Sequence, residues 1–187
     1  MGIGYDRERD MQNSHSVWHL TAAIFGIATH RRGPEELPAS WFLFGLLLGL
    51  YFSVGAISLA ALGLFNRTDI LVLVIDSAFY LAYVFVVLRL FGHERRFRQT
   101  ASALLGADVL LSLLGLPLAF WSSGDELTAE ISLPFVLRLV MVLWWIDVAG
   151  FILGRALGRP YLVGLLFVIL YVVVSLNIRD LLTPVTS

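Results

Sequence analysis

Five apolar runs, Trp41 to Leu62, Ile70 to Leu90, Ala101 to Trp121, Leu133 to Leu153 and Tyr161 to Leu176, occupy most of the chain and constrain its fold more than any other feature. A helix needs roughly 20 apolar residues to cross a hydrocarbon core of about 30 Å. Each run is near that length, so the expectation is an all-α, polytopic transmembrane bundle of five spans. Tyr161 to Leu176 is the shortest run and spans only a thin bilayer, or re-enters. With 58% hydrophobic and 14% charged residues in 187, no separate soluble domain fits. The chain divides into an N-terminal segment 1–40, a membrane domain 41–182 and a tail 183–187.

Punctuation between the runs is local and readable. Asn66-Arg67-Thr68-Asp69 supplies cap-type residues before the second run, and Gly92-His93-Glu94-Arg95-Arg96 closes it. Asn66-Arg67-Thr68 also matches a glycosylation sequon, but its closeness to the membrane favours the helix cap. Ahead of the first span, Ser16 to Ala28 is too short to cross. Val17, Leu20, Ile24 and Ile27 or Ala28 recur at helical spacing there, with Trp18 and Phe25 beside them. That pattern predicts an amphipathic helix in the headgroup plane, with Trp18, Arg31 and Arg32 as its lipid-headgroup contacts. The mixed charges of the first ten residues lack the order of a cleavable signal, and Asp6 stands where a myristoylation signal has Ser or Thr. An unprocessed, unlipidated chain is the expectation.

Orientation follows from the basic residues, all of which are Arg. With the N-terminus inside, ten lie on the cytoplasmic side: Arg7, Arg9, Arg31, Arg32, Arg89, Arg95, Arg96, Arg98, Arg155 and Arg159. Only Arg67 and Arg179 lie outside, and the loop with Asp125, Glu126 and Glu130 has no Arg. The positive-inside rule therefore predicts a cytoplasmic N-terminus and an outer C-terminus; the expected location is a bacterial inner membrane.

Four ionisable residues, Asp76, Asp108, Arg138 and Asp147, fall inside apolar runs. Charge at membrane depth is costly, so such groups face the bundle interior and find partners. Asp76 and Arg138 both lie roughly 10 Å from the outer ends of their spans, counting helical rise, and are candidates for one ion pair. Asp108 and Asp147 share an inner-leaflet depth. Two nearby carboxylates cannot both ionise cheaply, which would suit a proton or cation site; alternatively each bonds to a neighbouring helix and holds the bundle's register. Small residues at four-residue spacing, Gly45, Gly49 and Ser53 in the first span and Gly150, Gly154 and Gly158 at the end of the fourth, predict close helix packing.

Several chemistries have no residues to carry them. There is no Cys, and with no Lys there is neither a Schiff-base amine nor a Walker-type lysine. His15, His19, His30 and His93 all lie outside the spans, which leaves a bundle haem without ligands and an intramembrane serine protease without its base. His15 and His19 lack a third metal ligand. Gly106-Ala107-Asp108 is not the Gly-x-Gly-Asp arrangement of intramembrane aspartyl proteases. No catalytic residue, metal or cofactor is expected.

An amphipathic helix, a Pro-bearing break, five spans, Arg95-Arg96-Phe97-Arg98-Gln99-Thr100-Ala101-Ser102-Ala103-Leu104-Leu105-Gly106 entering the third span and Leu143-Trp144-Trp145 in the fourth resemble the bacterial branch of the Yip (Ypt-interacting protein) family. The resemblance extends over Trp18 to Asn177. It implies no catalysis and no functional residue, and the acidic Asp-Leu-Tyr-Gly-Pro type segment of eukaryotic members is absent. Together these features predict a non-enzymatic accessory or scaffolding subunit that works through membrane lipids and membrane-protein partners or as a homo-oligomer, with no nucleic acid. A proton- or cation-coupled transporter using the intramembrane carboxylates, and a lipid-binding or membrane-shaping protein, are the alternatives.

Overall fold

The computed structural model describes residues 20–122 and 133–182, in backbone alone at 119, at 122 and at 178–182. Trp18 and the acidic loop of Asp125, Glu126 and Glu130 lie outside the described residues. Every regular element among the described residues is helical: α1 (residues 20–28), α2 (Trp41–Ala61), α3 (Arg67–Leu90), α4 (Phe97–Ser122), α5 (Leu133–Leu157) and α6 (Tyr161–Leu182), with short 3-10 turns at Pro34–Glu36 and Glu94–Arg96. Four stretches, Trp41–Ala61, Arg67–Leu90, Glu94–Leu118 and Leu133–Leu157, are long and apolar enough to cross a membrane. A shorter apolar stretch, Tyr161–Asn177, follows within α6.

Local chemistry sets the helix ends. The Ser40 hydroxyl accepts from the Leu43 amide at the start of α2, and the Asn66 side chain accepts from the Asp69 amide at 3.0 Å to start α3. Helices α2, α3 and α5 run into Gly63, Gly92 and Gly158, with φ of 69°, 72° and 61°. A side chain disfavours that left-handed turn, and glycine does not. After α5, the Gly158 amide bonds to the Arg155 carbonyl and the Arg159 amide to the Gly154 carbonyl, so α6 begins almost at once.

Helix α4 is the central element. Of its membrane-length window 56% is buried, against 17% to 28% for the other three, and it packs extensively against both α2 and α5. Helices α5 and α6 form a tight antiparallel hairpin, and α3 closes the remaining side against α4 and α6. The densest packing lies in the half of the bundle nearest the Arg-rich ends. There Val84 and Leu88 of α3, Leu105 of α4, and Val148 and Ile152 of α5 are almost wholly buried. Ala101, Ala103, Gly106 and Ala107 on α4 and Ala149, Gly150, Gly154 and Ala156 on α5 let backbones approach closely in that half.

Helix α1 is seated on this dense half. Ile27 and Ala28 are buried, Ile24 lies where a Cβ on Gly106 would meet it at 3.0 Å, and the Trp144 indole donates to the Ala28 carbonyl at 3.1 Å. Phe25 points outward, and Arg31 and Arg32 are exposed, the latter 3.5 Å from Glu36.

The glycine rows behave differently from one another. Gly45 and Gly49 have no neighbour within 4 Å of where a Cβ would stand, and Ser53 turns its hydroxyl back to the Gly49 carbonyl at 2.8 Å. The α2 row is therefore an outer face and not a packing seam within the chain. Gly150 and Gly154 do pack: a Cβ on Gly150 would lie 3.0 Å from Leu165 Cα, and one on Gly154 would lie 3.3 Å from Tyr161 Cα. Gly158 has open space around it and serves the turn. The tightest position is Gly164, where a Cβ would run into the Gly150 carbonyl oxygen and lie 2.8 Å from Gly154 Cα.

Candidate functional site: a polar cavity among five helices

In the half of the bundle away from the Arg-rich ends the helices part around a cavity of about 640 Å³. All five long helices line it: α2 through Tyr51 and Ser58, α3 through Asp76 and Tyr80, α4 through Asp108 and Ser112, α5 through Arg138 and Trp145, and α6 through Tyr171 and Ser175. Gly115 opens the α4 wall by offering no side chain, and Pro117, which cannot donate the helical hydrogen bond, follows within the same helix.

Three aromatic rings form the floor. Tyr80 lies 5.0 Å from Tyr171 and 6.2 Å from Trp145 between centroids, and Trp145 lies 6.3 Å from Tyr171. Asp108 is only 6% exposed, and one of its carboxylate oxygens accepts the Trp145 indole N–H. Higher on the wall, the Asp76 carboxylate accepts from the Ser175 hydroxyl at 2.8 Å. Tyr171 stands within electrostatic range of both carboxylates. The Tyr80 hydroxyl is buried and has no hydrogen-bond partner among the described residues. A buried polar atom left in that state costs free energy, so it calls for an explanation.

The sequence-derived residues are thus regrouped. Asp76 and Arg138 do line one cavity, but the hydrogen bond that holds Asp76 comes from Ser175 and not from the guanidinium. Asp108 and Asp147 are not companions. Asp147 lies outside the cavity, accepts from the Tyr161 hydroxyl at 2.7 Å and stands 3.3 Å from His30 Nε2. Counting along the helices gives the two aspartates a similar expected depth, but rotation about the helix axes turns them to different faces. The carboxylate that shares the cavity with Asp108 is Asp76. The sequence alone offers Tyr80 and Trp145 as packing or lipid-facing aromatics and gives no signal for Tyr171 and Ser175, since an aromatic or hydroxyl residue in a membrane helix is uninformative until its face is known. No group of three or more metal-ligating side chains occurs among the described residues.

A second cleft, of about 600 Å³, lies at the Arg-rich end between Arg96, Gln99, Arg155 and Arg159. Its polar groups serve the fold. Arg96 donates to the Ala156 carbonyl at 3.2 Å, Arg155 pairs with Glu35, Gln99 donates to the Leu37 carbonyl at 2.6 Å, and Arg159 lies over the Phe91 ring at 5.6 Å.

Neither a family model, nor a curated protein, nor a solved structure matches the chain.

Proposed function

We propose that this chain is a five-span membrane protein that takes a small polar solute into the cavity between α2 and α6 and moves it, as a carrier coupled to or conducting a cation or proton. The carrying observation is the cavity itself: two carboxylates, hydroxyls and aromatic rings from all five long helices converge at membrane depth. Ionisable groups so placed mark solute and ion paths more often than they mark inert packing. Its volume lies within the roughly 300–1,000 Å³ range of small-molecule sites. The accessory-subunit expectation rests on the absence of a catalytic constellation and on very short loops, and the cavity favours the carrier alternative over it. No reaction is proposed, and the resemblance to the Yip family assigns no residue a role.

The five-span reading is supported by α6, whose apolar stretch Tyr161–Asn177 reaches about 25 Å at helical rise, enough for a thin bilayer. The Arg distribution supports a cytoplasmic N-terminus and an outer C-terminus, which puts the cavity in the outer half of what is, on this reading, a bacterial inner membrane. Helix α1 then lies in the cytoplasmic interface, its buried face on α4 and α5 and Phe25 toward lipid.

The chain's lack of Cys makes the test direct. A Ser112→Cys variant places one thiol on the cavity wall, and Leu113→Cys places one on the adjacent, lipid-facing side, where Leu113 is 48% exposed and absent from the cavity. Methanethiosulfonates react with thiolates, which form in water and not in lipid. We expect Ser112→Cys to be modified from the outer face of spheroplasts and also, during turnover, from the inner face of inverted vesicles, with Leu113→Cys inert. Modification from one face alone would reduce the reading to binding without transport, and none from either face would overturn it.

A further inference from the structure

From the chemistry of the cavity floor, and resting on the solute-binding reading above, we infer that the ligand is an organic ammonium ion, bound with its charged nitrogen between Asp108, Asp76 and the Tyr80 hydroxyl and its apolar substituents against the ring faces of Trp145 and Tyr171.

Four observations carry this. Acidic groups outnumber basic ones on the wall, two carboxyl groups against one guanidinium, an excess that favours a cation over an anion. Its floor is three aromatic rings in mutual contact, and the negative face of an aromatic ring attracts cations, with quaternary and alkyl ammonium groups the best-matched guests. The Tyr80 hydroxyl, in a residue 94% buried by its 6% exposure, lacks a partner among the described residues, and its oxygen can accept from an ammonium N–H or orient its dipole toward a quaternary nitrogen. Finally, the rest of the wall is aliphatic, with Leu111, Leu118, Met141, Val142 and Val172. A bare metal cation needs about six oxygen ligands, which this wall does not gather, whereas an ammonium ion carrying hydrocarbon is matched at both ends. Trp145 acts as a positioning residue, since its indole N–H fixes the Asp108 carboxylate while its ring forms part of the floor.

Such a cation has two sources, a free amine or the ethanolamine headgroup of a membrane lipid. One experiment addresses the class and the source together. The Ser112→Cys variant of the full chain is modified in parallel by a cationic trimethylammonium-ethyl methanethiosulfonate and by the anionic sulfonatoethyl reagent of similar size. Each rate is divided by that of a simple thiol. A neighbouring carboxylate slows thiolate formation equally for both reagents, so the ratio reports the field at the cavity. We expect the cationic reagent to be favoured at least tenfold. Adding Asp108→Asn, which keeps the hydrogen bond from Trp145, should lower that ratio several-fold. If that variant does not fold, Tyr80→Phe supplies the test through protection, since removing the hydroxyl should weaken an ammonium ligand several-fold. Protection by benzyltrimethylammonium in dodecyl maltoside identifies a free amine as the occupant. Protection only in nanodiscs of phosphatidylethanolamine, and not of phosphatidylglycerol, identifies the headgroup.

Equal normalised rates for the two reagents would overturn the ammonium assignment while leaving a water-filled cavity in place. Protection by neither amine source would overturn it as well. Modification by neither reagent would overturn the solute-binding reading and this inference with it.

Discussion

Trp145 on α5 gives its indole N–H to the carboxylate of Asp108 on α4, across the interface of the two most central helices and at the floor of the cavity. The neighbouring Trp144 points the other way and holds the end of α1. Two consecutive tryptophans thus join one helix to two different parts of the fold.

Removing only the donor of that bond leaves a buried acidic group without its partner. Trp145→Phe is therefore expected to destabilise the chain by about 1–3 kcal/mol. The double variant with Asp108→Leu is expected to lose less than the sum of the two single changes. Midpoints of heat unfolding in detergent, followed by loss of helical circular dichroism, check this. Strict additivity would mean that the pair does not interact. Asp147→Asn, outside the cavity, should leave the charge preference of a Ser112→Cys thiol unchanged.

The hydrogen bond between Asp76 and Ser175 leads to a second expectation. A double-mutant cycle of Asp76→Ala with Ser175→Ala should show coupling on the order of 1 kcal/mol, larger than the cycle of Asp76→Ala with Arg138→Gln. The reverse order would restore the ion pair that depth alone suggests.

Glycine substitutions separate packing from mere occurrence. Gly164→Ala forces a methyl group against the backbone of Gly150 and Gly154, which can yield only by moving α5 from α6. It is expected to cost about 1–3 kcal/mol or abolish the folded monodisperse peak in size-exclusion chromatography. Gly45→Ala and Gly49→Ala meet open space and should be neutral or gain up to about 1 kcal/mol of helix propensity. A harmful Gly45→Ala would instead point to a second chain on that face.

Topology gives the fourth expectation. Fusions of alkaline phosphatase, active only outside the cytoplasm, should be active after residue 187 and inactive at the N-terminus; fusions of a green fluorescent protein should report the opposite. A fluorescent C-terminal fusion in an otherwise intact chain would mean that α6 does not cross.

What the sequence made legible was local or summed along the chain. The Asn66 cap, the break at Gly158 to Pro160 and the Arg-rich ends depend on neighbours in sequence, and span existence depends on the hydropathy of a whole segment. What it left hidden was rotation. A helix in lipid is apolar on every side, so no polar face marks which residues turn inward. Expected depth therefore pairs Asp108 with Asp147, whereas the face it presents pairs it with Asp76. The position of Gly164 does carry a sequence signal. It lies as far after Arg159 as Gly154 lies before it, so a tight antiparallel turn there sets the two opposite each other.

The same turn bears on how the chain enters the bilayer. With Gly164 pressed against the backbones of Gly150 and Gly154, no acyl chain fits between α5 and α6 at that level, so the two helices would be better solvated by lipid as a pair than apart. A ribosome stalled before α6 emerges would present lipid with a strip of bare peptide backbone on α5. Release of α5 alone into the bilayer would then be less favourable than release of the pair.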